Sequence, residues 1–145
     1  NPTDFLRLLR AEAGPQHEQL ITDLFEKITL YDTKVAEATA RKRDDGKYEV
    51  TMAVEARKLY ADGKGNETEA PLDELFDVGV FTVEPGKTGY TEKSILLFER
   101  RPIKSGRQVI TLVVDSEPKF VGVDPYNKRI DRNSEDNVKR ADLPR

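Results

Sequence analysis

Cysteine and tryptophan are absent from this sequence, and histidine occurs once among the 145 residues. Without cysteine the chain has no disulfide framework, no thiolate nucleophile and no cysteine-ligated zinc. A histidine-based zinc site draws on several histidines, and no nucleophile-elbow sequence accompanies His17 to suggest a Ser-His-Asp triad. We therefore expect His17 to be a surface or helix-start residue, and a small hydrolase is the least favoured class.

Long apolar runs and a one-sided charge are also missing. No stretch approaches the roughly 18 apolar residues of a membrane-spanning helix, and no signal-peptide pattern opens the chain. Lysine and arginine number 24 against 27 aspartates and glutamates, a net charge of -3, and each basic cluster has acids nearby. Nucleic-acid binders usually carry a basic face, so the sequence predicts neither a nucleic-acid partner nor a membrane span of its own.

Residues 1–31 have helical periodicity. Their apolar residues recur three and four positions apart, and Gly14-Pro15 divides them into two segments, since proline interrupts the helical hydrogen bonds. The second segment has one apolar stripe, formed by Leu20, Ile21, Leu24, Phe25 and Ile28. The sequence predicts a pair of short helices here. Two helices of this length form no core alone, so they need the following sheet or another domain to pack against.

After residue 32 the period becomes two. Apolar and polar residues alternate from residue 48 to residue 56, as in a half-buried strand, and Asp44-Asp45-Gly46 is typical of a hairpin turn. Further strands are predicted at 34–43, 67–70, 76–83, 94–101, 107–115 and 120–123. Strands and turns at this spacing predict a mostly β fold, an immunoglobulin-like antiparallel β-sandwich over 32–133. A small barrel is the alternative, and residues 134–145 are expected to form a loosely ordered tail.

The segment 121–133 combines turn formers with apolar side chains. Proline favours an extended conformation for the residue before it, here Asp124, and Asp124 and Asn127 can bond the local backbone. Tyr126 offers a ring whose hydroxyl finds a partner when buried. The candidate residues for anchoring the tail, or for contacting another domain, are Asp124, Pro125, Tyr126, Asn127, Lys128 and Ile130. Anchoring is the favoured interpretation, and it predicts that Tyr126→Ala lowers the melting temperature.

The order Val-Gly-Val-Asp-Pro-Tyr-Asn-Lys-Arg-Ile-Asp-Arg in residues 121–132 resembles a known family. Aminopeptidase N-like zinc peptidases fused to ABC transporter permeases end in a similar strand and turn. The segments 24–32, 47–58, 70–75 and 77–81 are similar to the parts of that family entering and forming its terminal sandwich. The likeness extends from about residue 20 to residue 137. The family's His-Glu-x-x-His and Gly-x-Met-x-Asn motifs are missing, so no catalytic or metal residue is assigned.

The resemblance implies a non-catalytic C-terminal domain of a membrane-anchored bacterial protein, with the helical pair at residues 1–31 as a remnant of its upstream helical region. Such a domain would brace the upstream peptidase domain of the same chain or mediate interdomain contact, with the transporter part as a further candidate partner. Zinc would belong to the parent peptidase and no cofactor to this fragment, and the extracytoplasmic face is favoured. The alternative function is an independent protein- or carbohydrate-binding β-sandwich module, because fold alone does not assign function.

Overall fold

A computed structural model describes residues 28–62 and 64–144 of the chain. It shows a mostly β protein of two antiparallel sheets. The strands are β1 (Ile28–Lys42), β2 (Tyr48–Ala61), β3 (Glu67–Ala70), β4 (Asp73–Phe81), β5 (Ile95–Lys104), β6 (Gly106–Val114), β7 (Phe120–Val123) and β8 (Val138–Arg140). Within these described ranges no helix is long and apolar enough to cross a membrane.

The predicted helical pair lies almost entirely outside the described residues. Its last four positions, Ile28 to Tyr31, are an exception, because they belong to β1 and pair with β2. The helical prediction is wrong for these four. Ile28 fits the apolar helical stripe, but the segment Ile28–Tyr31 is equally compatible with a strand. Its pairing with β2 determines that it forms a strand.

The first sheet has β2 at its centre. β1 pairs along one side of β2, and β6 and β3 pair along the other. The predicted turn at residues 44–46 joins β1 to β2, with Gly46 at a φ of 87°. The second sheet has the order β5-β4-β7-β8. The chain crosses between the sheets at residues 71–72 and at Ser105, so β3 and β6 lie in one sheet while β4 and β5 lie in the other.

The core lies between the two sheets. The first sheet contributes alternate residues of its strands, and the second sheet contributes alternate residues of β4 and β7. The main contributors are Val35, Val50, Met52, Val54, Ile110 and Leu112 from the first sheet, and Phe76, Val78, Val80, Ile103, Val121 and Val123 from the second. This arrangement supports a β-sandwich-like architecture, as the period-two pattern predicted.

The C-terminal residues are ordered against the body of the domain, contrary to the expected loose tail. β8 pairs with β7 in register, and Ala141 is buried in the core. The backbone of Asp142 also bonds to β1, donating to Ala38 and accepting from Ala40. The tail prediction was wrong because residues 134–145 form a segment too short and too polar to show the period of a strand. The order of this segment comes from an open strand edge, which supplies its backbone groups with hydrogen-bond partners.

Candidate functional site

Two identical tripeptides lie side by side in the second sheet. Val78-Gly79-Val80 of β4 pairs with Val121-Gly122-Val123 of β7, so Gly79 lies opposite Gly122. The valines face the core, and the two glycines therefore form a strip without side chains on the outer face. The Phe81 ring lies over Gly79, where an added Cβ would be 2.7 Å from its Cε2. Pro125 lies close to Gly122 in the same way.

A tight turn at Asp124 follows directly from this strip. Asp124 is buried, and it has a positive φ of 46° rather than the extended conformation expected before proline. Its carboxylate accepts the backbone N–H groups of Lys128 at 3.0 Å and Arg129 at 3.1 Å. Asn127 also has a positive φ, of 54°. Asp124 and Asn127 lie together in this turn, where the Asn127 N–H donates to the Asp124 carbonyl at 3.0 Å. The Asp124 side chain bonds the local backbone as predicted, whereas the Asn127 side chain accepts from the Asn137 side chain.

Two contacts fix the turn to the neighbouring strands. The buried Asn137 side chain donates to the carbonyl of Asp124 at 2.6 Å and to the side-chain oxygen of Asn127 at 3.1 Å. On the other side, the N–H of Asp124 donates to the backbone carbonyl of Asp77 in β4 at 2.7 Å. Each of these bonds joins residues distant in sequence, so the turn ties β4 to the C-terminal segment.

The carboxylate of Asp77 is buried beneath two cationic side chains. Lys128 Nζ lies 2.8 Å from Asp77 Oδ2, and Arg100 Nε lies 3.6 Å from Asp77 Oδ1. Both cations reach solvent. One negative charge is therefore shared by two positive charges, so this group of three side chains carries one positive charge more than it carries negative charges.

Arg129, which the sequence did not single out, anchors the segment after the turn. Its guanidinium lies 3.8 Å from the centroid of the Phe76 ring and donates to the Leu75 carbonyl at 2.7 Å. Ile130 was predicted to be the second apolar anchor, and that prediction is wrong because its side chain is 65% exposed. Only its backbone takes part, accepting the N–H of Tyr31 at 2.9 Å. The sequence did not point to Arg129, because a cation packed over a buried ring creates no periodic pattern of residues.

Four rings form a continuous group over the glycine strip, here called the aromatic patch: Phe81, Tyr90, Phe98 and Tyr126. Phe81 is fully buried and meets Tyr90 edge to face at 5.9 Å. Tyr126 stacks on Phe98 with ring centroids 5.3 Å apart, and its hydroxyl lies 2.6 Å from that of Tyr90. Desolvation, followed by the hydrogen bond to Tyr126, raises the pKa of Tyr90 above its ordinary value.

The outer half of the aromatic patch is open to solvent. Tyr126 is 44% exposed and Phe98 is 37% exposed, although both rings are held by stacking. The sequence pointed to Tyr126 and singled out neither Phe98 nor Tyr90. Phe98 follows the alternation of β5, yet it pairs with Gly79 and so stands on the outer face. Only the register between β4 and β5 shows that Phe98 lies on the outer face, and a single sequence does not contain that register.

The chain beyond the turn passes a partly buried carboxyl group, Asp131, beside β1. Burial, with smaller contributions from Asp136 and Asp32, raises the pKa of Asp131 to about 6 from its ordinary 3.8. Its carboxylate accepts the N–H of Asn133 at 2.9 Å. Because the folded-state pKa is raised, the contribution of Asp131 to stability is complete below about pH 4 and is lost as the pH rises through about 6.

Asp131→Asn is therefore expected to become more stable relative to the parent chain as the pH rises from 4 to 7. The amide keeps an acceptor for Asn133 but cannot ionise in the partly buried site. Melting temperatures of both proteins across this pH range measure the effect. Asp73→Asn is the control for the general effect of replacing an aspartate, because Asp73 is exposed. A constant difference for Asp131→Asn would contradict the prediction.

Comparison with known proteins finds no family model, no curated protein and no solved structure that matches the chain. The function therefore has to be argued from the residues and from the geometry of the aromatic patch.

Proposed function

We propose that the chain is a non-catalytic accessory domain of a membrane-anchored zinc aminopeptidase fused to an ABC transporter permease, located on the extracytoplasmic face. In this proposal the aromatic patch docks on the peptidase domain upstream in the same chain. One observation carries the proposal. The residues that resemble the family's terminal motif, from Val121 to Lys128, are the same residues that build the turn and present Tyr126 at the surface.

The composition of the surface supports docking on a protein. Aromatic and arginine side chains are enriched at protein interfaces, where a few rigid rings supply much of the binding energy. Tyr126 and Phe98 stack on each other, so neither ring loses much rotamer freedom on binding. Lys128 and Arg100 flank them with excess positive charge. The partner surface we expect is apolar at its centre and acidic at its rim.

The polar groups around the turn support a structural role for this region. Both oxygens of Asp124 accept backbone N–H groups, and Asp77 is held by two cations. These carboxylates are engaged in holding the chain. For the fold we propose the immunoglobulin-like variety of sandwich, supported by the strand crossings between antiparallel sheets. The zinc would be held by the peptidase part of the parent.

A carbohydrate-binding module is the second candidate, because exposed rings also stack on sugar faces. The same observation, the half-exposed Tyr126 on Phe98, favours it. The two candidates differ in the surroundings of the rings. Sugar recognition needs free hydrogen-bonding side chains beside them, whereas the Tyr126 hydroxyl and the Asn127 side-chain oxygen already have partners. We therefore favour the protein partner.

Replacing the two exposed rings tests the docking directly. The purified chain is titrated against the peptidase body produced without this domain, and Phe98→Ser/Tyr126→Ser is expected to weaken binding at least about tenfold. Leu75→Ser, which alters a side chain that is 55% exposed on β4, is the matched control and should bind like the parent chain.

Two results would contradict the docking proposal. One is unchanged binding by the Phe98→Ser/Tyr126→Ser variant. The other is an oligosaccharide that perturbs tyrosine fluorescence in the parent chain and not in the variant, which would establish the carbohydrate-binding candidate instead.

Tyr126→Ala alone should lower the melting temperature only slightly, since much of this ring is in solvent.

A further inference from the structure

The exposed strand edges of the two sheets are protected in different ways. The edge of β1 is covered by backbone bridges at Tyr31 and Thr39. β5 carries four charged residues and Pro102 along its length, and β3 and β8 have only four and three residues. Charge, proline, short length and covering segments are the usual means of preventing edge-to-edge pairing.

β6 lacks these protections. In the part of the chain that the structure describes, it pairs with β2 on one side only. Residues 108–114, Gln-Val-Ile-Thr-Leu-Val-Val, contain no charge, no proline and no glycine. Val109 and Val113 on its outward side are 64% and 40% exposed. A strand of this composition with a free edge is a template for another strand.

The sequence of β6 is complementary to itself in the antiparallel direction. With a two-fold axis at Thr111, Val109 of one copy lies opposite Val113 of the other, and Ile110 lies opposite Leu112. The same register places Arg107, which also pairs with Glu37 and Glu55 of its own chain, opposite Asp115, so that opposite charges meet at both ends of the paired strands. Asp115 is well placed for this, because its side chain is 87% exposed and its contact with Lys47 is long, at 3.8 Å.

We infer that the chain forms a two-fold symmetric dimer through antiparallel pairing of β6 with β6 of a second copy, centred on Thr111. The pairing joins the two first sheets into one continuous sheet. Each copy supplies the same surface to the other, as a closed two-fold interface requires. The exposed valines pack as cross-strand pairs on the outer face, and two Arg107–Asp115 pairs fix the register.

Sedimentation equilibrium of the purified chain tests the dimer. The chain is expected to dimerise as its concentration rises, and Thr111→Lys is expected to raise the dimer dissociation constant at least about tenfold, because two lysines then face each other on the axis. Thr39→Lys is the matched control, since it is also an exposed strand position but its edge is covered at Asp142. It should leave the dissociation constant unchanged.

Charge reversal tests the register. Arg107→Asp and Asp115→Arg each place like charges opposite one another and should each be mainly monomeric. An equimolar mixture of the two variants makes both end pairs complementary, so heterodimers are expected to form. A parent chain that is monomeric up to its solubility limit, a dimer indifferent to Thr111→Lys, or a mixture that stays monomeric would each overturn the inference.

Discussion

Asp124→Ala is expected to destabilise the domain by about 3 kcal/mol and to lower its melting temperature by about 10 °C. The buried carboxylate accepts two backbone N–H groups, from Lys128 and Arg129, and charge-assisted bonds of this kind are the stronger ones. Alanine also tolerates the positive φ at this position less well than aspartate does. Thermal unfolding followed by circular dichroism measures the change.

Two variants make the Asp124 result specific. Asp124→Asn keeps the tolerance for positive φ and one acceptor oxygen, so its loss of stability should be intermediate. Asp73→Ala removes an exposed aspartate at the start of β4 and should change the melting temperature little. If Asp124→Ala melted within about 2 °C of the parent chain, the turn would not anchor the C-terminal segment as the hydrogen bonds indicate.

Gly79→Ala should be almost as damaging, with a loss of about 3 kcal/mol. The new methyl group would lie 2.7 Å from Cε2 of Phe81, the fully buried ring of the aromatic patch. The close contact therefore forces the Phe81 ring or the β4 backbone to shift. Chemical denaturation, with the slope compared between the two proteins, measures the loss.

A second substitution at Phe81 tests whether the ring causes this loss. Phe81→Leu alone removes buried surface and should cost about 1.5 kcal/mol. In the double variant Gly79→Ala/Phe81→Leu the smaller side chain relieves the close contact, so the combined loss should be well below the sum of the single losses. If the losses of unfolding free energy were additive, the Phe81 ring would not be packed against Gly79 as described.

Most strands were predictable because the period-two pattern survives wherever one face of a strand is buried. β6 and β7 are confirmed to within one residue at each end, and β2 begins where predicted but extends beyond residue 56 to Ala61. The pattern failed at both ends of the described chain. The segment Ile28 to Tyr31 is compatible with both the helical period and the strand period, and β8 is too short to show either. In both places the outcome depends on pairing with a strand far away in sequence.

The candidate site was predictable in its local part only. Asp124 and Asn127 were recognised because aspartate and asparagine bond the nearby backbone in turns. The aromatic patch depends on which residues of β4, β5 and β7 lie side by side, and that register is a long-range property. Arg129 replaced Ile130 as the anchor for the same reason, since its partner Phe76 lies 53 positions earlier in the chain.

An immunoblot of fractionated source cells, with an antibody against this chain, tests whether the chain is part of a membrane-anchored peptidase. The account predicts a band far larger than 16.5 kDa in the membrane fraction. Immunoprecipitates of that band should cleave aminoacyl substrates and lose this activity when zinc is chelated. A soluble band near 16.5 kDa, with no aminopeptidase activity in the immunoprecipitate, would contradict the claim that the chain is an accessory domain of a membrane-anchored peptidase.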